Sequence, residues 1–395
     1  MAKSPRVADF STHFSGPVAS QRLAHLGADV IKIEHPVIGD GNRQFAPMFH
    51  EDSVHHLTLN AGTRSLAIDA KSPQWVPTVA AIARWADVVI VGNQPSSARK
   101  LGIDAQSLFA HNDQLVYCMI TGWGVAGDWS SLPAHGLNMD ALAGAIPLDW
   151  ATGEPRIPEH YRSAGTTVAG IEAAVGIYAA LHRRSLGEGG QVVHVSIWEA
   201  ALAWQWRDLA TLANLDHLWT SYQALGPRYA VYGTKDARAL LVCPVEQKFW
   251  VAFCEAIGLP SAWALRGDWS GGMDMGAAYE SFGERAEIAA RMATRERDEW
   301  ISILREANVP AAPVYDVREA MGSAHAHQNG TMAQYQMRGR TVRVPVAPVS
   351  VTPAREARDT DTIAGYHARK AQGIAPAPHL GEQNAEIMRE LGLSD

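Results

Sequence analysis

The first 125 residues alternate between short apolar runs and stretches with helical spacing, and that alternation constrains the fold more than any single motif. Arg6–Ser11, Ala28–Glu34, Ser65–Ala70, Asp87–Val91 and Leu115–Thr121 read as strands, being short and rich in Val and Ile. Pro17–Leu26, Gln74–Trp85 and Ala98–Phe109 read as the helices between them. Strands joined by helices pair in parallel, because a crossover returns the chain to the same edge. Such a sheet is covered on both faces, which explains runs that are almost continuously apolar. The 395-residue chain is 47% hydrophobic and 19% charged, enough apolar surface for a core of this kind.

Beyond Asn138 the pattern turns helical. Thr167–Arg183 is the strongest helix, with Ala169, Gly170, Ala173, Ala174, Ala179 and Ala180 permitting close packing. Gln191–Ser196 reads as a further strand, entered from the turn Gly187–Gly190, and a long helix is expected over Ile197–Ala213. Composition then shifts. Tyr229–Pro244 reads as a hairpin-like pair of strands, Phe249–Ile257 as a helix and Gly276–Asn308 as helical and charge-rich. Gly226–Gly330 is thus a smaller α+β domain. Arg340–Pro353 is a Pro-spaced edge strand, since proline cannot join a central ladder, and Glu382–Leu391 a closing helix.

Several function classes fall away. Cys118, Cys243 and Cys254 lie in apolar contexts and read as buried thiols of a reducing compartment, so a cytoplasmic location is expected. The net charge is -7, with no basic run, which argues against nucleic-acid binding. The longest strongly apolar stretch, Val168–Leu181, is interrupted by Glu172 and falls short of the ~20 residues of a membrane span. No apolar signal region precedes Val7, so secretion is not expected. Gly122-Trp123-Gly124-Val125-Ala126-Gly127 is formally a dinucleotide fingerprint, but it follows the fifth strand and leads into turn residues Asp128–Pro133. It reads as a turn, leaving a nicotinamide-dependent oxidoreductase as a remote alternative. His50, His55, His56, His325 and His327 lack metal-ligand spacing, so no metal is expected. No Gly-x-Ser-x-Gly elbow marks a serine hydrolase.

The order and wording of many segments carry more. Val7–Ser11 (VADFS), Ser15–Pro17, Leu26–Glu34 (LGADVIKIE), Gly39-Asp40, Arg43 and Asn60–Ser65 (NAGTRS) are followed by Ala86–Val89, Asn93, Lys100–Gly102 and Ile120–Gly124 (ITGWG). Gly176–Leu181, Gly187–Gln191, Val195–Ala200 and Pro378–Glu382 complete the series. Together they resemble the family III CoA-transferases, the group of carnitine CoA-transferase, formyl-CoA transferase and α-methylacyl-CoA racemase. The resemblance implies a Rossmann-like large domain with a parallel sheet, built from residues 1–225 and a returning segment 331–395. It implies a small domain over 226–330 and an interlocked dimer. The ligand it implies is coenzyme A or an acyl-CoA, with a carboxylic acid as acceptor. In the transferases an aspartate attacks the thioester to form a mixed anhydride, and returning CoA yields an enzyme-bound thioester. In the racemases a His and an Asp move the proton α to the thioester carbonyl.

At the aspartate position this chain has Thr166, or Gly165 if the loop slips by one, and neither is a carboxylate. His135 matches the racemase histidine, but its acidic neighbour is Gly136. His135 therefore reads either as a lone acid/base or as structural. The resemblance places CoA binding on His35, Arg43, Arg64, Asn93 and Lys100. His35 and Lys100 replace arginines and Thr63 a lysine, which weakens phosphate grip because only arginine forks onto phosphate. Two readings follow. The chain is an acyl-CoA enzyme (transferase, isomerase or lyase) using His135 or other groups such as Glu159, His160 or Glu172. Alternatively it is a non-catalytic subunit that pairs with an intact paralogue.

Overall fold

The five apolar runs and Gln191–Ser196 assemble into one parallel sheet in a computed structural model that describes residues 4–217, 225–277, 283–349, 351 and 374–393. Its strands are β1 (Arg6–Asp9), β2 (Asp29–Glu34), β3 (Arg64–Ala67), β4 (Val88–Val91), β5 (Val116–Thr121) and β6 (Gln191–Ser196). Their order is β3-β2-β1-β4-β5-β6, the doubly wound arrangement. The register pairs Asp9 with Lys32, Ala8 with Val89 and Ile90 with Cys118. Alternate residues point to opposite faces. Ala8, Ile31, Val89 and Tyr117 pack under α2 (Trp75–Trp85), while Val7, Val30, Val88 and Cys118 pack under α1 (Ser15–His25) and the long helix 164–183.

Two expected helices are each broken in two. In place of Ala98–Phe109 stand α3 (Pro95–Leu101) and α4 (Ala105–Phe109), because the Asp104 carboxylate caps a new helix by accepting from Ser107 N. After α5 (Gly136–Leu142) and α6 (Ala164–Arg183), the expected helix over 197–213 divides into α7 (Ile197–Trp204) and α8 (Trp206–Leu215). Gln205 leaves helical geometry between them, and its amide donates to Ala143 O at 2.9 Å.

The membrane-length expectation is also corrected. Among the described residues, the helical stretch Ala164–Glu188 is long and apolar enough, by length and composition, to cross a bilayer. Its small residues serve packing against α1: a Cβ on Gly170 would stand 2.5 Å from Ser15 O and 2.6 Å from Val18 Cβ.

The chain divides into two compact units, 1–209 with 324–395, and 210–323. In the second, β7 (Ala230–Gly233) and β8 (Ala239–Val242) form the expected antiparallel pair, joined by β9 (Ala311–Pro313). Helices α9 (Gln247–Ala256), α10 (Glu284–Met292) and α11 (Arg297–Glu306) cover a core around Trp250, Phe253 and Leu304. Arg228 is fully buried there; its guanidinium forks onto Glu284 at 2.8 and 3.2 Å and lies 4.0 Å from the Trp250 ring centroid. In the first unit, β10 (Met332–Met337) pairs with β11 (Arg340–Pro345). Parts of the two expected segments 276–308 and 340–353, namely 278–282, 350 and 352–353, lie outside the described residues. The closing helix α12 (Asn384–Glu390) protects the sheet's edge strand β3. Gln383 accepts from Ser65 N at 2.8 Å, while Asn384 accepts from Ala67 N at 2.8 Å and donates to Ala67 O at 3.0 Å.

Two histidines of this unit are held neutral. Burial, then the neighbouring Arg22, pushes His25 down to about 4; burial, then Arg43, does the same to His56. Burial opposes ionisation of Glu34, yet Arg43 hydrogen-bonds it and holds it at about 2. All three pKa values are depressed in the folded state, so their stabilisation is present at neutral pH and lost on acidification. The melting temperature is expected to hold above pH 6.5 and fall from there to about 4 as the histidines take up protons, with slopes up to ~1.4 kcal/mol per pH unit per group. A second fall, from Glu34, follows between about 4.5 and 2. Thermal melts of wild type and a His25→Gln/His56→Gln variant across this range check it; the variant should lose the first slope.

Candidate functional site

In a doubly wound sheet, the chain leaves β1 and β4 in opposite directions, and a crevice opens at the carboxyl ends of those strands. A cavity of about 600 Å³ occupies that place. Its walls come from Ser11–Gly16 after β1, Gly92, Gln94 and Pro95 after β4, Thr121–Trp123 after β5, Phe45, and the segment Ala134–Gly136 with Thr166. Two residues expected at the site, His135 and Thr166, are brought together on this wall. His135 precedes α5, where its backbone N–H donates to Asn138 Oδ1 at 3.0 Å and its carbonyl accepts from Asn138 N at 2.8 Å. Thr166 lies in the first turn of α6 and donates through Oγ1 to Ser163 Oγ at 3.2 Å.

The loop after β1 that lines the cavity is held by a buried charge cluster. Lys32 is 1% exposed, with Nζ 3.0 Å from Asp9 Oδ2, 2.9 Å from Asp40 Oδ2 and 2.5 Å from Ser11 O. Burial disfavours the ammonium, but Asp40 and Asp9 outweigh it and raise the pKa above the ordinary lysine value. Asp9 also accepts from Ser11 N and from the Ser20 hydroxyl. Asp40 accepts from His13 N at 2.7 Å and Asn42 N at 2.9 Å. His13 sits at φ 72°, a left-handed conformation uncommon for a side-chain-bearing residue, and this bond holds it there. Its ring lines the cavity, with Nδ1 2.8 Å from Thr12 Oγ1 and the Phe45 ring centroid 5.7 Å away. Sequence reasoning passed over His13; its place beside Ser15-Gly16-Pro17, directly after β1, was the available signal.

A second feature missed from sequence is Asp140. It is fully buried behind the wall, where Oδ1 accepts from Gly165 N at 3.1 Å and Oδ2 from the Tyr161 hydroxyl at 2.9 Å. Burial, then this bond, pushes Tyr161 up to about 12. A Cβ on Gly165 would lie 2.7 Å from Asp140 Oδ1, so the contact requires glycine there. One on Gly136 would lie 3.2 Å from Thr166 Cγ2.

The five residues expected to bind CoA do not line this cavity. His35 is exposed after β2, accepting through Nδ1 from Val37 N and Ile38 N. Arg43 forks onto Glu34 at 2.7 Å on both bonds and also reaches His56 and Pro378 O. Arg64 begins β3, at the opposite edge of the sheet, and is held by Asp29, Glu386 and Glu390. Asn93 is half-buried after β4, and Lys100 is exposed in the last turn of α3. Glu159, His160 and Glu172 are exposed and absent from the wall. The glycine run is a turn: Thr121 Oγ1 accepts from Gly124 N, Gly127 O from Ser130 N, and the next helix begins only at Gly136. Among the described residues no group of three or more metal-ligating side chains gathers, and no Asp, Glu, Lys or Arg lines the cavity.

Comparison with known proteins places these features in context. The family model described as CoA-transferase family III matches residues 4–382. The chain is 28% identical to a succinate–glutarate CoA-transferase of Agrobacterium fabrum, over 98% of this chain and 94% of that one. It is 26% identical to a formyl-CoA:oxalate CoA-transferase of Escherichia coli O157:H7, over 99% and 95%. Among solved structures, a CAIB/BAIF family protein of Brucella suis superposes with TM-score 0.76 at 22% identity, covering 98% of each chain. A hypothetical protein of Mycobacterium tuberculosis gives 0.76 at 23%, covering 96% and 97%. At these identities the two structures speak to the fold alone.

The tie from Asp140 to the start of α6 carries an expected cost. Asp140→Ala leaves Gly165 N–H buried without an acceptor and should destabilise the chain by about 2 kcal/mol. Asp140→Asn keeps an acceptor for Gly165 and a partner for Tyr161, and should cost less than about 1 kcal/mol. Urea unfolding of the two variants checks the difference.

Proposed function

The chain belongs to CoA-transferase family III, and from that premise we propose that it holds an acyl-CoA with the acyl end in the cavity beside β1, β4 and β5. On this reading CoA passes between the thioester and a carboxylic acid without a carboxylate of this chain as nucleophile. The observation that carries it is the absence of Asp and Glu from the cavity wall among the described residues, with Thr166 where the resemblance expects the aspartate. The acceptor's own carboxylate attacks the thioester carbonyl, the C–S bond breaks, and CoA leaves as thiolate. The thiolate then attacks the acceptor's carbonyl in the resulting anhydride, and C–O cleavage releases the donor acid as carboxylate. His135 and the Thr166 hydroxyl supply hydrogen bonds where oxyanion charge develops. The step as written uses neither metal nor nicotinamide. His35, Asn93 and Lys100 meet the nucleotide end of CoA, whereas Arg43 and Arg64, engaged by Glu34 and by Asp29, Glu386 and Glu390, hold the scaffold. The free thiols, Cys118 and Cys254 buried and Cys243 partly so, support a cytoplasmic setting.

A second reading, the non-catalytic subunit, is favoured by an apolar face. Ile171, Val175 and Tyr178 follow one another along α6 at 38%, 59% and 36% exposure, and Val192 is 58% exposed on the edge strand β6. Patches of this kind mark association surfaces. An intact paralogue covers it on this reading, whereas a second copy covers it on the first, the interlocked dimer being one form.

Intact-mass analysis after incubation with acyl-CoA tests the first reading. Wild type should show turnover with no covalent adduct, and Thr166→Asp should acquire one; an adduct on a carboxylate of the wild-type chain overturns it. Calorimetry should give micromolar CoA binding, about -8 kcal/mol. No CoA binding by the lone chain, with activity restored by a paralogue, decides for the subunit. Sedimentation tests the face: wild type should be dimeric or co-purify with a partner, and Val175→Asp should shift it toward monomer.

A further inference from the structure

The chemistry of the cavity wall, more than its shape, selects what it can hold. His13 and His135 are the only ionisable side chains among the described residues that line it. The buried cation Lys32, bonded to Ser11 O of the lining loop, has its ammonium taken up by Asp9 and Asp40 as well and does not line the cavity. Hydroxyl side chains such as Ser11, Thr12, Thr121 and Thr166 and the Gln94 amide line part of the remaining wall, and aromatic and aliphatic side chains line the rest. Phe14 and Phe45 stack with ring centroids 5.8 Å apart at 15°. Trp123 lies 5.1 Å from Trp129, and Met139, Ile120 and Ile197 complete the apolar lining.

We propose that the acyl group or acceptor taken by this cavity is an apolar monocarboxylate, aromatic or branched, and not a dicarboxylate. The inference rests on the acyl-CoA reading above and adds the substrate class to it. A terminal carboxylate placed among these rings gives up its hydration and, among the described residues, meets only imidazole, hydroxyl and amide groups in return and no guanidinium or ammonium, so its transfer is disfavoured. An aromatic or branched group gains by the same transfer, through burial against the stacked pair and Trp123. A cavity of about 600 Å³ accommodates a phenyl or branched aliphatic group beside the thioester carbonyl. Polar groups of the wall, Thr166, His135, Gln94 and Thr12 among them, orient one carboxylate or thioester. The relatives compared above carry succinate, glutarate and oxalate in their names, so this chain departs from them in substrate.

Calorimetric titration of the full chain with CoA, phenylacetyl-CoA, isovaleryl-CoA and succinyl-CoA, at one ionic strength, tests the proposal. At least one apolar acyl-CoA should bind about tenfold tighter than CoA, and succinyl-CoA no tighter than CoA. Succinyl-CoA binding as well as the apolar thioesters overturns the substrate class while leaving the CoA reading intact. Failure of all four to bind removes the CoA reading, and the cavity is then read directly with free acids through tryptophan fluorescence, since Trp123 lines it. Saturable quenching by phenylacetate and none by glutarate supports the proposal; equal response to both, or to neither, overturns it. Phe45 is 41% exposed, and a thermal melt of each variant reports whether the fold is kept. Phe45→Ala should lose the apolar preference, read as the ratio of apolar acyl-CoA to CoA affinity, and Phe45→Arg should shift that preference toward succinyl-CoA. An unchanged preference in both variants places the selecting surface elsewhere and overturns the assignment.

Discussion

Lys32 carries its charge inside the sheet, and the candidate site depends on how that charge is satisfied. Removing an ion from water is costly and is offset only by close partners of opposite sign. Here Asp9 lies across the β1–β2 register, and Asp40 arrives on the loop after β2. Asp40 in turn holds the backbone of His13, and Asp9 holds Ser11, so the loop leaving β1 takes one shape. That loop is the near wall of the cavity. A second pair close by, Glu34 with Arg43, binds the same loop region to His56 and to Pro378 of the returning chain end. The interior charges thus link three distant segments, and each charge is compensated by the fold that it helps to define.

The far wall is organised by a different buried carboxylate. Asp140 serves a backbone N–H at the start of α6, where four such groups lack helical partners. This places Thr166 against Gly136 and beside His135. The Thr166 hydroxyl lines the cavity, while the nearby carboxylate of Asp140 is absent from its lining and bonds Gly165 and Tyr161. Among the described residues, hydroxyls, an amide, two imidazoles and aromatic rings line the cavity, and no Asp, Glu, Lys or Arg does.

Much of this architecture was legible in the residues. The strand runs and their helical crossovers follow from apolar periodicity, because burial on both sheet faces leaves little freedom in composition. Breaks within helices were less visible. Asp104 and Gln205 terminate helical runs through their own side-chain hydrogen bonds, and helical spacing continues through both. His135 and Thr166, the two residues that the resemblance singled out for chemistry, both line the cavity although 31 positions separate them. The arginines read as phosphate ligands are the instructive case. Arg43 and Arg64 have the right side chain for phosphate, yet their guanidinium groups lie against carboxylates whose nearness no local pattern discloses.

The sequence by itself determined a parallel α/β sheet, a smaller α+β unit and the family, because hydrophobic period and the order of short motifs are local properties of the chain. Tertiary structure alone decided which charges are spent on holding the fold and which groups face the cavity. Charge satisfaction depends on distance in space: Lys32 with Asp40, Arg64 with Glu390 and Asp140 with Gly165 become partners only when the segments that carry them are packed together.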